Sequence, residues 1–307
     1  MAVVTASIAA HGEWTAQAHR TAKQAQQIVF VADDLGLSAD ANRGIARAAA
    51  AGLIREASLC VNGPLAREGA RIGRDHGLGI GLHLCLTAGQ SLSGPIRGLT
   101  DARGRFHALA RGLGASLCGA VDRDAVRREV EAQLDRIAEL GWEPTHVNGH
   151  HHVHCWPVVR TVCFAAIRAR GVRWTRLPDE VASRKRLLMS RLFLASLARA
   201  SRRHVAAAGL ASLPFVGGTL QNCPDHSEHF LATLRDLPSG PCEWMVHPRD
   251  LEVVQRSQRN ASGELATLTE PLVRASLRER GFEPACFADI SADSQGASMP
   301  RGRAELA

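Results

Sequence analysis

No stretch of the 307 residues reaches the roughly 18–20 consecutive apolar residues of a membrane span, which argues against an integral helical membrane protein. Residues 1–20 lack both a basic start and an apolar core, so they make a poor secretion signal, and a cytoplasmic location is expected. The eight cysteines contain no C-x-x-C pair, and several sit in apolar runs such as SLCVN and TVCFAA. Buried reduced thiols are expected there, rather than disulfides or zinc ligands. No G-x-G-x-x-G or Walker A pattern follows the first predicted strand, which counts against a nucleotide-binding α/β sheet. Tyrosine is absent, so any ring-stacking role would fall to Trp142, Trp156, Trp174 or Trp244. Burial in the core is the simpler role for most of these.

At 45% hydrophobic and 22% charged, the composition is that of a globular protein and excludes disorder as the main state. The net charge of +7 comes from 37 basic and 30 acidic residues. One segment accounts for it: Arg184, Lys185, Arg186, Arg191, Arg199, Arg202 and Arg203 occur with no acidic residue between them. The remainder is near neutral, so no nucleic-acid partner is expected. Leu187, Leu188, Phe193, Leu194 and Leu197 interleave with these cations, as in an amphipathic helix over 184–204. An outer helix with a solvated basic face explains the pattern, and a peripheral membrane contact is the sharper alternative.

Short β-branched runs alternate with helical patterns along nearly the whole chain. Strands are predicted at 27–32, 57–62, 79–85, 145–149, 172–177, 213–217, 242–247 and 285–290. Helices are predicted from the Ser38 N-cap to Gly52, over 64–76, 122–140 and 157–170, in the basic segment, and over 228–235 and 270–280. The Gly- and Ser-rich stretch 86–121 reads as an excursion or lid. Such alternation implies a parallel sheet with helices outside. Seven or eight repeats in about 260 residues fit a single α/β fold of (β/α)-barrel type, closed or nearly closed and TIM-barrel-like. The boundaries are a flexible extension over 1–26, the barrel over 27–290 and a disordered tail over 291–307.

Polar residues fall at the strand ends, where a β/α barrel builds its chemistry. Asp33 and Asp34 follow the first strand, His83 ends the third, His150, His151, His152 and His154 follow the fourth, and His247 ends the seventh. Alone, an Asp pair after a strand is a turn or cap, and His83 is a hydrogen-bonded core histidine. Four imidazoles in five residues have no packing rationale, and neutral imidazole is a common metal ligand. Together these residues suggest a metal held by one carboxylate and two histidines. A second carboxylate would serve as base and a further histidine as acid, the parts needed to hydrolyse an amide or ester.

The runs VADDLGLS at 31–38, VNG at 61–63, GLHLCLTAG at 81–89, THVNGHHHVH at 145–154 and EWMVHP at 243–248 resemble the YdjC-like carbohydrate deacetylases. That family includes chitooligosaccharide deacetylases and a branch associated with hopanoid lipid biosynthesis. The resemblance implies Asp33 as general base, with Asp34, His83 and His150 as metal ligands. It implies His247 as general acid or oxyanion partner and Arg176 as a substrate contact, with His152 and His154 beside the substrate. It also implies a divalent cation, magnesium by family usage, although two imidazoles suit zinc as well. Leu35 stands where the family usually has Phe, and Asn148 where the chitooligosaccharide branch has an aspartate.

The expected activity is metal-dependent removal of an N-acetyl group from an amino sugar, in an oligosaccharide or a lipid-linked glycoside. Another amidase or a phosphoesterase on the same metal is the alternative, and a non-enzymatic metal-binding protein the third. Whether the chain forms a homodimer is left open by the sequence.

Overall fold

The computed structural model describes residues 25–180, 189–217, 226–251 and 259–290. The expectations for residues 1–24, for the start of the basic segment at 184–188 and for the tail from 291 lie outside these residues. Eight strands are present: β1 (Gln26–Leu35), β2 (Glu56–Leu59), β3 (Gly79–Leu84), β4 (His146–Gly149), β5 (Trp174–Thr175), β6 (Phe215–Val216), β7 (Cys242–Val246) and β8 (Phe282–Pro284). The described helices are α1 (Ala39–Ala50), α2 (Ala66–Asp75), α3 (Leu109–Leu117), α4 (Arg123–Glu139), α5 (Pro157–Ala169), α6 (Met189–Ala207), α7 (His226–Arg235), α8 (Arg259–Thr269) and α9 (Pro271–Glu279).

All strand pairs are parallel, in the order β5-β4-β3-β2-β1-β7-β6, with β8 beside the start of β1. The expectation of a closed or nearly closed barrel holds only in its coarser form, a curled parallel α/β sheet. Among the described residues, β5 and β6 form no ladder with each other. Only isolated bridges, Trp174 to Ala211 and Glu180 to Phe215, link neighbouring segments there.

The two faces of the curl differ in chemistry because side chains alternate along a strand. Ile28, Phe30 and Ala32 of β1, Ala57 and Leu59 of β2, Ile80, Leu82 and Leu84 of β3 and Val147 of β4 all belong to one large core shared with the helices. The intervening positions face inward. They read Val29, Val31 and Asp33 on β1, Glu56 and Ser58 then Cys60 on β2, Gly79, Gly81 and His83 on β3, and His146 and Asn148 on β4. At the bottom, Val29, Val31, Trp174, Leu213, Ala285, Phe287 and Ile290 make a small apolar plug. Above it the interior is polar. Gly81 is required beside this lining, because a Cβ there would lie 2.4 Å from the His146 ring.

The predicted strand at 285–290 is corrected: the strand is Phe282–Pro284, and Phe287–Asp289 is a 3-10 turn. Its apolar residues fill the plug instead of joining a ladder. The excursion 86–121 contains α3 and is tied down by α4. Buried Glu129 accepts from Ser91 Oγ at 2.6 Å and from the Ser93 and Leu92 amides at 2.8 and 3.2 Å. On the basic segment, Arg191 pairs with Glu180, and Arg199 and Arg202 pair with Asp179. Among the described residues, no helix is long and apolar enough to cross a membrane.

Helix α1 starts at the predicted cap, Ser38, and packs on the chain just after β7. A Cβ at Gly44 would meet the Pro248 carbonyl oxygen at 2.3 Å. Gly44→Ala is therefore expected to destabilise the fold by about 1–3 kcal/mol, the usual cost of overpacking. Urea unfolding reads this directly, and an unchanged midpoint would show that α1 does not seat against Pro248 as described.

Candidate active site

The site stands at the C-terminal ends of β1 to β4 and β7. Consecutive strand residues normally point to opposite faces, yet Asp33 and Asp34 serve the same site. The backbone makes this fit: the β1–β2 register slips between Ala32 and Leu35, and Asp34 takes a left-handed φ of 70°. His151 and His152, with φ of 54° and 55°, kink the turn after β4 in the same way. The kink sends His150 to Asp34, His151 to Thr87 and His154 back to β5, at distances of 2.9 Å each.

Asp33 is 2% exposed and accepts hydrogen bonds on both oxygens, three on Oδ1 and one on Oδ2. Its Oδ1 accepts from Ser58 Oγ at 2.5 Å, Asn148 Nδ2 at 2.9 Å and Arg176 Nη2 at 3.1 Å, while Oδ2 accepts from Arg176 Nη1 at 2.5 Å. Burial works to raise its pKa, but Arg176, then His83 and His247, outweigh burial and hold the carboxyl far below the usual range. Arg176 also donates from Nε to Glu243 at 2.5 Å and lies over the Phe215 ring. It is 1% exposed and wholly engaged with the protein.

These contacts fix the protonation of His83. An ionised Asp33 only accepts, so the Asn148 amide nitrogen must face it, and Asn148 Oδ1 must face His83 Nδ1, 2.6 Å away. His83 then carries its proton on Nδ1 when neutral, and its Nε2 lone pair points 3.3 Å from Asp34 Oδ1. His150 Nδ1 lies 2.9 Å from that same oxygen. Asp34 Oδ2 is taken by Arg249 Nη2 at 2.7 Å. Yet Asp34 Oδ1 and His83 Nε2 are buried with no hydrogen-bond partner. An imidazole lone pair facing a carboxylate oxygen is repulsive unless a proton or a cation lies between them. Burial notwithstanding, the two aspartates push the His83 pKa up, and the His150 and His83 rings hold Asp34 well below its usual value. The gap attracts positive charge.

Cys60 completes this cluster: its Sγ, an Asp34 oxygen and a His83 ring nitrogen all lie within 4.8 Å of one another. This set fits a divalent cation. His247 Nε2 lies 3.9 Å from Asp33 Oδ2, and its backbone amide donates to Glu264 at 3.0 Å. Burial pushes Glu264 up to about 8 and, against the pull of both aspartates, lowers His247.

Asp33, Asp34, His83, His150, Arg176 and His247 thus come together from five segments of the chain. That is the gathering which a merely histidine-rich surface would lack. His154 and His152 turn inward instead. His154 is 0% exposed with Nε2 on the Arg176 carbonyl, and the His152 ring meets Phe215 edge-on. Trp156 and Trp244 are core residues, as expected. Ser58, Cys60, Glu243, Arg249 and Glu264 were not singled out from the sequence. The first three follow the period-two inner face of β2 and β7 and were findable by that signal. Arg249 and Glu264 reach in from a turn and a helix, with no local signal.

A protein-family model described as YdjC-like protein matches residues 27–279. A carbohydrate deacetylase of Mus musculus is 34% identical over 306 residues, covering 89% of this chain and 98% of that protein. A chitooligosaccharide deacetylase of Serratia marcescens is 31% identical over 285 residues, covering 86% of this chain and 98% of that one. Among solved structures, one from Enterococcus faecalis V583, described as a cellobiose-phosphate cleavage protein, superposes with a TM-score of 0.64. It shares 20% identity and covers 86% of this chain and 98% of its own, a likeness of fold. Because the family match takes in every strand that carries the site, and the mouse relative parallels nearly the whole chain, this protein belongs to the YdjC-like family.

Proposed function

We propose that this chain is a divalent-metal-dependent hydrolase that removes the acetyl group from an N-acetylated amino sugar, in an oligosaccharide or a lipid-linked glycoside. One observation carries the reading: two adjacent carboxylates with opposite engagement. Asp33 has both oxygens held by protein donors, while Asp34 Oδ1 faces two imidazoles, at 2.9 and 3.3 Å, without an aligned hydrogen bond to either. The names of the relatives, carbohydrate and chitooligosaccharide deacetylases, support the reaction class.

Asp34, His83 and His150 would hold the cation, with magnesium the family's usage and zinc suited to the imidazoles. Once bound, such an ion polarises an acyl carbonyl and acidifies water enough for a base as weak as Asp33. Asp33 then takes the proton of the attacking water. Arg176, Ser58 and Asn148 keep that carboxylate ionised and aimed, so Arg176 acts as a positioning residue rather than a substrate contact. His247, lowered by burial, is neutral near pH 7 and donates its ring N–H to the developing oxyanion. Glu264 sets the height of His247 through the backbone amide. The proton on Asp33 passes to the leaving nitrogen, which a carboxyl this acidic releases readily. The products are acetate and a free amine.

Phosphoester hydrolysis is less well supported. The arginines at this centre, Arg176 and Arg249, are already occupied by Asp33, Glu243, Asp34 and Asp40.

Acetate release should be measured on N-acetylglucosamine oligosaccharides and lipids bearing that sugar, with and without Mg²⁺ or Zn²⁺. Metal-dependent acetate, and no phosphate from phosphoesters, is expected. Bound metal with no acetate from any of them would overturn the reading. Asp33→Asn should lower turnover by about 10²–10⁴-fold, the range for a lost general base, while elemental analysis finds its metal retained. His83→Ala and His150→Ala should lose both metal and turnover, and full occupancy in both variants would refute the ligand assignment.

A further inference from the structure

Cys60 departs from the expectation that every cysteine here is an inert core thiol. Cys155, Cys163 and Cys242 fit it by position; burial pushes these three thiols up, and the neighbouring Cys85 together with burial pushes up Cys60 as well, so position alone sets Cys60 apart. Cys60 instead continues the inner face of β2 past Glu56 and Ser58, and its Sγ lies within 4.8 Å of donor atoms on both Asp34 and His83. Two atoms independent of the thiol point to a ligand at that spot: Asp34 Oδ1 and His83 Nε2, both buried and both without a hydrogen-bond partner.

We propose that Cys60 is a thiolate ligand to the cation held by Asp34 and His83, and that it biases the site toward zinc or another thiophilic divalent ion over magnesium. The inference rests on reading Asp34 and His83 as a metal-holding pair. Magnesium takes hard oxygen ligands and keeps several waters, so a thiol beside it adds nothing. Zinc binds sulfur at about 2.3 Å and imidazole at about 2.0–2.1 Å, so the donors of one zinc ion lie about 3–4 Å apart. A set already within 4.8 Å needs only a small contraction. On coordination the Cys60 S–H bond is replaced by a sulfur–metal bond and one proton leaves to solvent, with no change of oxidation state. Cys85 neighbours the Cys60 thiol, and its own Sγ donates to the Ala88 carbonyl at 3.5 Å. It stands outside the donor set and supplies the control.

The test is cobalt substitution of the full chain, because thiolate bound to Co²⁺ gives a near-ultraviolet charge-transfer band that oxygen and imidazole ligands do not. The band is expected in the unaltered protein and in Cys85→Ser, and absent in Cys60→Ser with cobalt still bound. In Cys60→Ser, zinc affinity measured by chelator competition should fall at least about tenfold, as ligand-environment losses typically do, with magnesium affinity unchanged. Cobalt bound to the unaltered protein without the band, or a band that survives in Cys60→Ser, would overturn the proposal. Metal-dependent acetate release in the absence of the band would leave the proposed reaction standing and remove Cys60 alone. Failure to bind any metal would remove both.

Discussion

A carboxylate taken out of water is stable only where a cation and hydrogen-bond donors replace the water, and Arg176 does this for Asp33. The guanidinium meets both oxygens of Asp33 on one side and Glu243 on the other, stacks over Phe215, and has its backbone carbonyl held by His154. Removing one partner of such a buried pair leaves an uncompensated charge, at a cost of about 3–5 kcal/mol. The rest of the site inherits its order from this contact. An ionised Asp33 dictates how Asn148 is turned, Asn148 dictates where His83 carries its proton, and that tautomer presents a lone pair to Asp34.

This chain of dependence gives Asn148 a physical role. The aspartate expected from the chitooligosaccharide branch would place a second carboxylate against Asp33 Oδ1. The amide instead donates to Asp33 and Ser58 while accepting from His83. It serves both neighbours without adding charge. The pocket therefore concentrates its negative charge on Asp33 and Asp34, each answered by a different arginine, Arg176 and Arg249.

Most of the fold was legible because its signals are local. Short apolar, β-branched runs marked the strands, Ser38 and Asp122 marked helix starts, and the strand-end polar residues marked the candidate site. What escaped was set by tertiary contact. The apolar run at 285–290 imitates a strand but plugs the bottom of the sheet. Helix α3 lies in a Gly-rich stretch whose order depends on Glu129 of a distant helix. His154 carries the same side chain as its catalytic-looking neighbours, and only the kink at His151 and His152 turns it inward. Cys60 is buried and reduced as expected, and what its local sequence did not show is that it stands beside Asp34 and His83.

The position of β1 has a kinetic consequence. It is the first of the described strands in chain order, yet it lies inside the sheet, with Ile28 paired to Cys242 and Gln26 to Phe282. During synthesis β1 to β4 can assemble long before β7 and β8 emerge, and such non-local closure is slow. For that interval the half-curled sheet shows its inner face to water. A face lined with leucine and valine would then be an adhesive surface for other nascent chains. Here only Val29 and Val31 at the bottom are of that kind, and above them the face presents aspartate, glutamate, serine, glycine, histidine and asparagine. The polar lining that gathers the candidate site in the finished molecule would also make the unfinished one less adhesive.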